Sequence, residues 1–195
     1  MGYISVQSSI DHDNPGDWQR GAYGTCAGEG VQVNPEQRIL SRFDLAQTLE
    51  GHREKGQRIV FTNGCFDILH VGHARYLAAA RALGDLLVVG LNSDDSVRDL
   101  KGENRPLIPE AERAEMLAHL ECVDYVCIFP ESRPDSLIEV VRPTIHAKGG
   151  DYRIEELPEA AVVERFGGRV VILPLVEGWS TTNIIERIGG LVRGE

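Results

Sequence analysis

Two histidines three residues apart, His70 and His73, close the run Gly64-Cys65-Phe66-Asp67-Ile68-Leu69-His70-Val71-Gly72-His73. The run follows the apolar, strand-like segment Arg58-Ile59-Val60-Phe61 and leads into a helix-like segment, Ala74 to Leu83. Imidazoles at such a junction suit phosphate chemistry. The first turn of a helix presents unpaired N–H groups and a partial positive charge to an anion, and histidines there can follow charge as it develops on a phosphoryl group. Gly64 would allow a sharp turn after the strand, and Gly72 a close approach of ligand to backbone. By spacing alone the two histidines could also be a surface pair, or two ligands of a zinc ion that would need a third. Their place between strand and helix favours the anion site.

Other residues fit the same chemistry. Lys101 lies in Asp99-Leu100-Lys101-Gly102-Glu103-Asn104, a stretch that could fold over bound phosphates or leave a solvated lysine. Arg105, beside Pro106, could grip a sugar phosphate at two points. Arg113 is expected on a solvated helix face. Asp67 could cap the following helix or hold an acceptor sugar. In Lys148-Gly149-Gly150-Asp151 the glycines permit an unusual turn, and Lys148 or Asp151 could hold ribose or phosphate. Ser180-Thr181-Thr182 opens the last helix, where hydroxyls cap N–H groups in any protein and could here form a second anion site for the outer phosphates.

These residues need a frame. Strands are expected at Arg58 to Thr62, Leu86 to Leu91, Tyr125 to Phe129, Thr144 to Ala147 and Val170 to Leu175. Helices are expected at Ala74 to Leu83, Asp94 to Leu100, Pro109 to Leu120, Pro134 to Val141, Glu156 to Phe166 and Thr181 to Leu191, after a short one ending near Gly51. Short β-branched runs alternating with amphipathic helices indicate an α/β fold, a doubly wound parallel sheet of about five strands with helices on both faces. Ligands then lie beyond the carboxyl ends of the strands. Residues 1–36 show no sustained period and read as an irregular arm, leaving 37–195 as the main domain.

Composition narrows the function classes. The chain has 195 residues, 42% of them hydrophobic, and a formal net charge of −10. That charge disfavours nucleic acid or an anionic membrane as the main partner. The four cysteines form no CxxC pair, and no membrane span or leader pattern is evident, so a cytoplasmic protein without structural metal is expected. There is no G-x-x-x-x-G-K-[ST] and no G-x-G-x-x-G after a strand, so a P-loop enzyme or an ordinary dinucleotide oxidoreductase is disfavoured.

At this level of detail the chain resembles the nucleotidyltransferases that carry the HxGH motif, which include cytidylyltransferases and adenylyltransferases. The resemblance runs from about Ile39 to Ile188 and rests on motifs in order: Gly64-Cys65-Phe66-Asp67 with His70 and His73, Val89-Gly90-Leu91-Asn92-Ser93-Asp94, Leu100-Lys101-Gly102, Arg105-Pro106, Val123-Asp124, Lys148-Gly149-Gly150-Asp151-Tyr152 and Ser180-Thr181-Thr182-Asn183-Ile184. Within the family it is most similar to the adenylyltransferases that join AMP to D-glycero-β-D-manno-heptose 1-phosphate. The resemblance implies a Rossmann-like sheet, ATP and heptose 1-phosphate as substrates, Mg²⁺ bound mainly through the triphosphate, and pairing as a homodimer. It implies His70, His73 and Lys101 as catalytic residues. Thr62, Asn63, Gly64, Cys65, Phe66, Gly72, Asn92, Lys148, Gly149, Asp151, Ser180, Thr181 and Thr182 would bind nucleotide, and Asp67 and Arg105 the sugar phosphate. In many bacteria the activity is fused to a sugar kinase; no kinase half is seen in this sequence, which implies a stand-alone form served by a separate heptose kinase.

Two departures bear on the substrate. Glycerol-phosphate cytidylyltransferases carry arginines at the places held here by Glu121 and Leu175, and isoleucine where Trp179 stands. A cytidylyltransferase for glycerol 3-phosphate or a similar small alcohol phosphate, and a nucleotide- or metal-binding regulator without turnover, remain the alternatives.

Overall fold

The computed structural model describes residues 34–150, 153–174 and 180–193. Among the described residues five strands form one wholly parallel sheet: β1 (Ile59–Gly64), β2 (Leu86–Asn92), β3 (Tyr125–Phe129), β4 (Ile145–Gly149) and β5 (Arg169–Leu173), in the order β3-β2-β1-β4-β5. The connecting helices are α1 (Arg42–Glu54) before β1, α2 (Val71–Arg81), α3 (Asp94–Lys101), α4 (Glu110–Ala118), α5 (Asp135–Val141), α6 (Ala160–Arg165) and, after β5, α7 (Thr181–Arg193). The strands are short and apolar because each is covered twice. Ile59 and Phe61 of β1 pack with Leu45 and Leu49 of α1, Leu137 and Ile138 of α5 and Val163 of α6. Val60, between them, faces the opposite core with Leu77 of α2 and Leu117 of α4. The doubly wound α/β sheet expected from the alternation of segments is the observed fold.

Local chemistry starts the helices. Ser41 accepts from the Asp44 N–H at the start of α1, and Ser93 from the Ser96 N–H at the start of α3. Several boundaries differ from expectation, among them β1, which runs to Gly64, and the following four. Helix α1 continues through Gly51 because Leu45 and Leu49 are buried and Arg53 donates to the Val141 carbonyl at 3.0 Å. Helix α2 begins at Val71, not Ala74, with His70 at its N-cap. The helix expected at Glu156 to Phe166 is divided into a 3₁₀ turn, Ile154–Glu156, and α6, since Pro158 between them has no N–H for a continuous helix. Strand β4 runs on to Gly149 through pairs Lys148↔Ile172 and Gly149↔Leu173 with β5.

Part of the expected arm, Asn34 to Glu36, is described with the domain; the rest, residues 1–33, lies outside the described residues. Leu40 N–H donates to the Val126 carbonyl, and Arg38 Nη1 donates to the carbonyls of Ala118, Leu120 and Val123, so this segment covers the edge of β3. No described helix is long and apolar enough to cross a membrane.

The sheet reverses direction of winding at β1. On one side β1 pairs with β2 along its full length, from Ile59↔Leu86 to Gly64↔Leu91. On the other it pairs with β4 only at Val60↔Ile145 and Phe61↔His146. Beyond that point the two strands part, at the topological switch point where α/β sheets bind ligands.

Candidate functional site

Strand β1 delivers Thr62, Asn63 and Gly64 to this opening. The next residues turn through Phe66, whose φ of 45° is left-handed. A non-glycine residue held there costs of order 1–3 kcal/mol, and packing must hold it. The packing is visible: Phe66 is buried, and its ring lies edge-on to His73 with centroids 5.3 Å apart. Gly64 serves this turn differently from the expectation. It has no left-handed φ; a Cβ there would lie 3.0 Å from the Phe66 ring, so glycine makes room for that ring.

His70 and His73 occupy the N-cap and first turn of α2, with Gly72 buried between them. Their rings stack at 3.9 Å, 21° from parallel. Burial and the neighbouring His70 ring push His73 down to about 4, against the pull of the Ile68 carbonyl, and burial also lowers His70. Both rings therefore favour the neutral form near pH 7. An anion at the start of α2 would favour added positive charge on them, whereas the positive end of the helix dipole opposes that charge and attracts the anion itself.

The β2 side of the loop is firmly tied. The Asp67 carboxylate accepts from Arg105 Nε at 2.5 Å and from the N–H groups of Leu107 and Ile108 at 2.8 and 3.0 Å. It is thus a staple for the segment between α3 and α4; the cap of α2 is His70. Arg113 corrects the expectation of a solvated face. It is 1% exposed, and its guanidinium donates to the carbonyls of Ile108, Cys65 and Asn92 and to Asp94 Oδ1. The physical reason is that a planar guanidinium with five donors can satisfy carbonyls converging from two loops and the end of β2 at once. Asn92 itself is buried and donates to Ser96 Oγ at 2.8 Å. Lys101 ends α3 and is exposed. Burial and the Asp67 charge raise the Cys65 thiol, opposed by the charges of Lys101, Arg113 and Arg105. Arg105 is ion-paired with Asp67 and Arg113 with Asp94.

The β4 side is spanned by side chains. The Tyr76 hydroxyl lies 2.7 Å from Thr62 Oγ1 on β1 and 3.0 Å from the Ala147 carbonyl on β4. Lys148 Nζ lies 3.5 Å from Asn63 Oδ1 and 2.7 Å from Glu159 Oε1. Burial alone would raise the Glu159 carboxyl, but the hydrogen bond and charge of Lys148 bring it below its ordinary value. After Gly149, Gly150 takes a φ of 141° open to glycine alone, and its N–H donates to the Leu173 carbonyl. Asp151 lies outside the described residues, as do Leu175 and Trp179. Ser180 caps α7, its Oγ accepting from the Asn183 N–H at 3.0 Å, with Thr181 and Thr182 in the first turn.

The fold thus brings His70, His73, Asp67, Arg105 and the Thr62 to Phe66 backbone together, with Lys148 joined to them through Asn63. Three contributors were missed in the sequence: Arg113, Tyr76 and Glu159. A signal existed for the first two. Arg113 sits four residues before buried Leu117, and Tyr76 three after His73, so helical spacing places each on an inward face. Among the described residues no group of three His, Cys, Asp or Glu side chains is arranged to hold a metal ion.

Residues 61–187 match the family described as cytidylyltransferase-like. The chain is 58% identical over 153 residues to the bifunctional protein HldE of Pelobacter propionicus, covering 78% of this chain and 31% of the relative. It is also 58% identical over 160 residues to the bifunctional protein HldE of Geobacter metallireducens, covering 82% and 33%. The chain therefore spans about a third of the length of these curated relatives. Among solved structures, the lipopolysaccharide core biosynthesis protein of Thermoplasma volcanium shares 30% identity at a TM-score of 0.53, covering 62% of this chain and 98% of that one. The pantoate-beta-alanine ligase of Francisella tularensis, at 16% identity, a TM-score of 0.50 and coverage of 75% and 72%, shares the fold.

Proposed function

The chain belongs to the cytidylyltransferase-like family of nucleotidyltransferases, and from that premise we propose that it transfers AMP from ATP to D-glycero-β-D-manno-heptose 1-phosphate, giving ADP-heptose and pyrophosphate. The observation that carries this proposal is the stacked pair of imidazoles, His70 and His73, at the N-terminus of α2, in the chain that follows β1. The acceptor is supported by similarity to relatives named bifunctional protein HldE and to a protein of lipopolysaccharide core biosynthesis. The product would feed that or another heptose-containing glycan, and a kinase must supply the sugar phosphate.

A phosphate oxygen of the sugar attacks the α-phosphorus in line. A bond forms from that oxygen to phosphorus, the bridge to the β-phosphate breaks, and pyrophosphate leaves with the bond's electron pair. Both reactants are anions, so the protein's work is positioning and charge neutralisation. The N–H groups of His70 and His73 donate to the α-phosphoryl oxygens and the leaving bridge, with no covalent intermediate. Thr62 to Phe66 pass beneath the nucleotide. Lys101 neutralises phosphate charge from the end of α3, and Arg105, oriented by Asp67, faces the sugar phosphate. Lys148, Gly149 and Asp151 serve the nucleotide from β4, and Ser180, Thr181 and Thr182 the outer phosphates from α7. Mg²⁺ would be held mainly by the oxygens of the triphosphate rather than by a cluster of described side chains, and would supply further charge neutralisation.

The test is pyrophosphate release from ATP, CTP, GTP and UTP, each offered with heptose 1-phosphate and with glycerol 3-phosphate. Turnover with ATP and the heptose is expected. Preference for CTP with glycerol phosphate would replace the substrate assignment, and no turnover with any pair would remove the activity.

A further inference from the structure

The ladder between β1 and β4 stops at Phe61↔His146, yet both strands continue, β1 to Gly64 and β4 to Gly149. No strand pairing fixes the width of the opening there. Across it lies the hydroxyl of Tyr76, 2.7 Å from Thr62 Oγ1 and 3.0 Å from the Ala147 carbonyl. The carbonyl can only accept, so the Tyr76 hydroxyl donates to Ala147 and the Thr62 hydroxyl donates to Tyr76. The chain of donors has one direction, and it links both strands to one side chain.

Tyr76 is itself on α2, one turn beyond His73. Residues three apart on a helix share a face, so fixing the Tyr76 hydroxyl fixes the rotation of α2 that presents His73 and, at the N-cap, His70. Burial pushes the phenol up to about 12 despite the hydrogen bond from Thr62, so the donor proton stays in place through the working pH range. We propose that Tyr76 is a positioning residue: its hydroxyl sets the spacing of β1 and β4 at the switch point and holds the two histidines of α2 at the height where the α-phosphate must sit. It touches neither nucleotide nor acceptor. The role rests on the adenylyl-transfer proposal for its rate consequence, but its geometric part does not.

The experiment compares wild type with Tyr76→Phe, Thr62→Val and Thr62→Ser by steady-state pyrophosphate release and by NMR titration of the histidine ring protons. Misplacement of catalytic groups by about 1 Å can cost on the order of a hundredfold. Tyr76→Phe is expected to lower kcat by roughly ten- to a hundredfold while leaving KM for the nucleotide within about threefold. Thr62→Val should lower kcat in the same sense, and Thr62→Ser, which keeps the hydroxyl, should restore it. Both damaging variants should also move the titration of His73. A lower melting temperature with kcat and the His73 titration unchanged would make Tyr76 merely structural and overturn the proposal. If wild type itself turns over no substrate pair, the adenylyl-transfer proposal fails separately. The His73 titration then decides, an unchanged midpoint in Tyr76→Phe overturning the positioning role.

Discussion

The two sides of β1 close the same loop by different means. Toward β2 the backbone ladder runs to the end of the strand, and buried groups finish the seal: Asp67 accepts three hydrogen bonds and Arg113 donates to four oxygens. Toward β4 the ladder ends early, and Tyr76 and Lys148 reach across instead. The difference teaches where a ligand can enter. A continuous ladder leaves no N–H or carbonyl to spare, whereas parted strands leave a cleft whose width depends on side chains. The closed side should therefore govern stability together with geometry, and the open side should govern rate.

The largest effect tests the open side. His73→Ala removes a half-buried ring at the start of α2 while leaving the backbone N–H groups in place. Loss of a positioned proton donor costs on the order of 10²–10⁴ in rate, and chemical denaturation should show a smaller loss, at most about 1–3 kcal/mol, because the ring also packs against the left-handed Phe66. A turnover rate within about twofold of wild type would take His73 out of the chemistry and leave the open side without its main actor.

Arg113→Met breaks the closed side. The substitution fills similar space but leaves the carbonyls of Ile108, Cys65 and Asn92 and the Asp94 carboxylate without their donor. Removing one partner from a buried charged network costs roughly 3–5 kcal/mol, read as a fall in the urea midpoint at constant slope. Turnover should fall along with stability because Cys65 and Asn92 both flank the site. Stability within about 1 kcal/mol of wild type would mean that the ladder alone closes this side.

Much of this frame was legible because parallel strands buried on both faces must be apolar runs, as Leu86 to Leu91 is. The histidine pair was legible as well, since its spacing and its place after a strand are local facts. What was not legible depended on distant partners. Helix α2 starts at Val71 because a left-handed Phe66 redirects the chain, and Phe66 is held there by His73 and by the room at Gly64. Arg113 was misplaced because charge suggested solvent; its spacing from Leu117 was the better guide, but the carbonyls that satisfy it come from residues 65, 92 and 108. Pro158 did carry the signal for the break before α6.

The smallest effect separates the open side from the core beneath it. His146, on β4, is fully buried against Phe61, and among the described residues neither ring nitrogen has a hydrogen-bond partner. Burial and the nearby Lys148 charge push it down to about 3, with Glu159 opposing. A lowered histidine is thus no mark of function by itself, for His146 and His73 share that property and differ in access to an anion. The sign follows from linkage: the unfolded ring binds a proton near pH 6.5 and the folded ring only near 3, so its contribution is complete above pH 6.5 and is lost as pH falls toward 3. Each such histidine removes up to about 1.4 kcal/mol per pH unit in that window. His146→Leu should leave turnover near pH 7 unchanged and flatten the fall in melting temperature between pH 6 and 4, with His73 still contributing its share down to about 4. Equal acid sensitivity in wild type and variant would show that the imidazole under β4 does not titrate on unfolding as its burial requires.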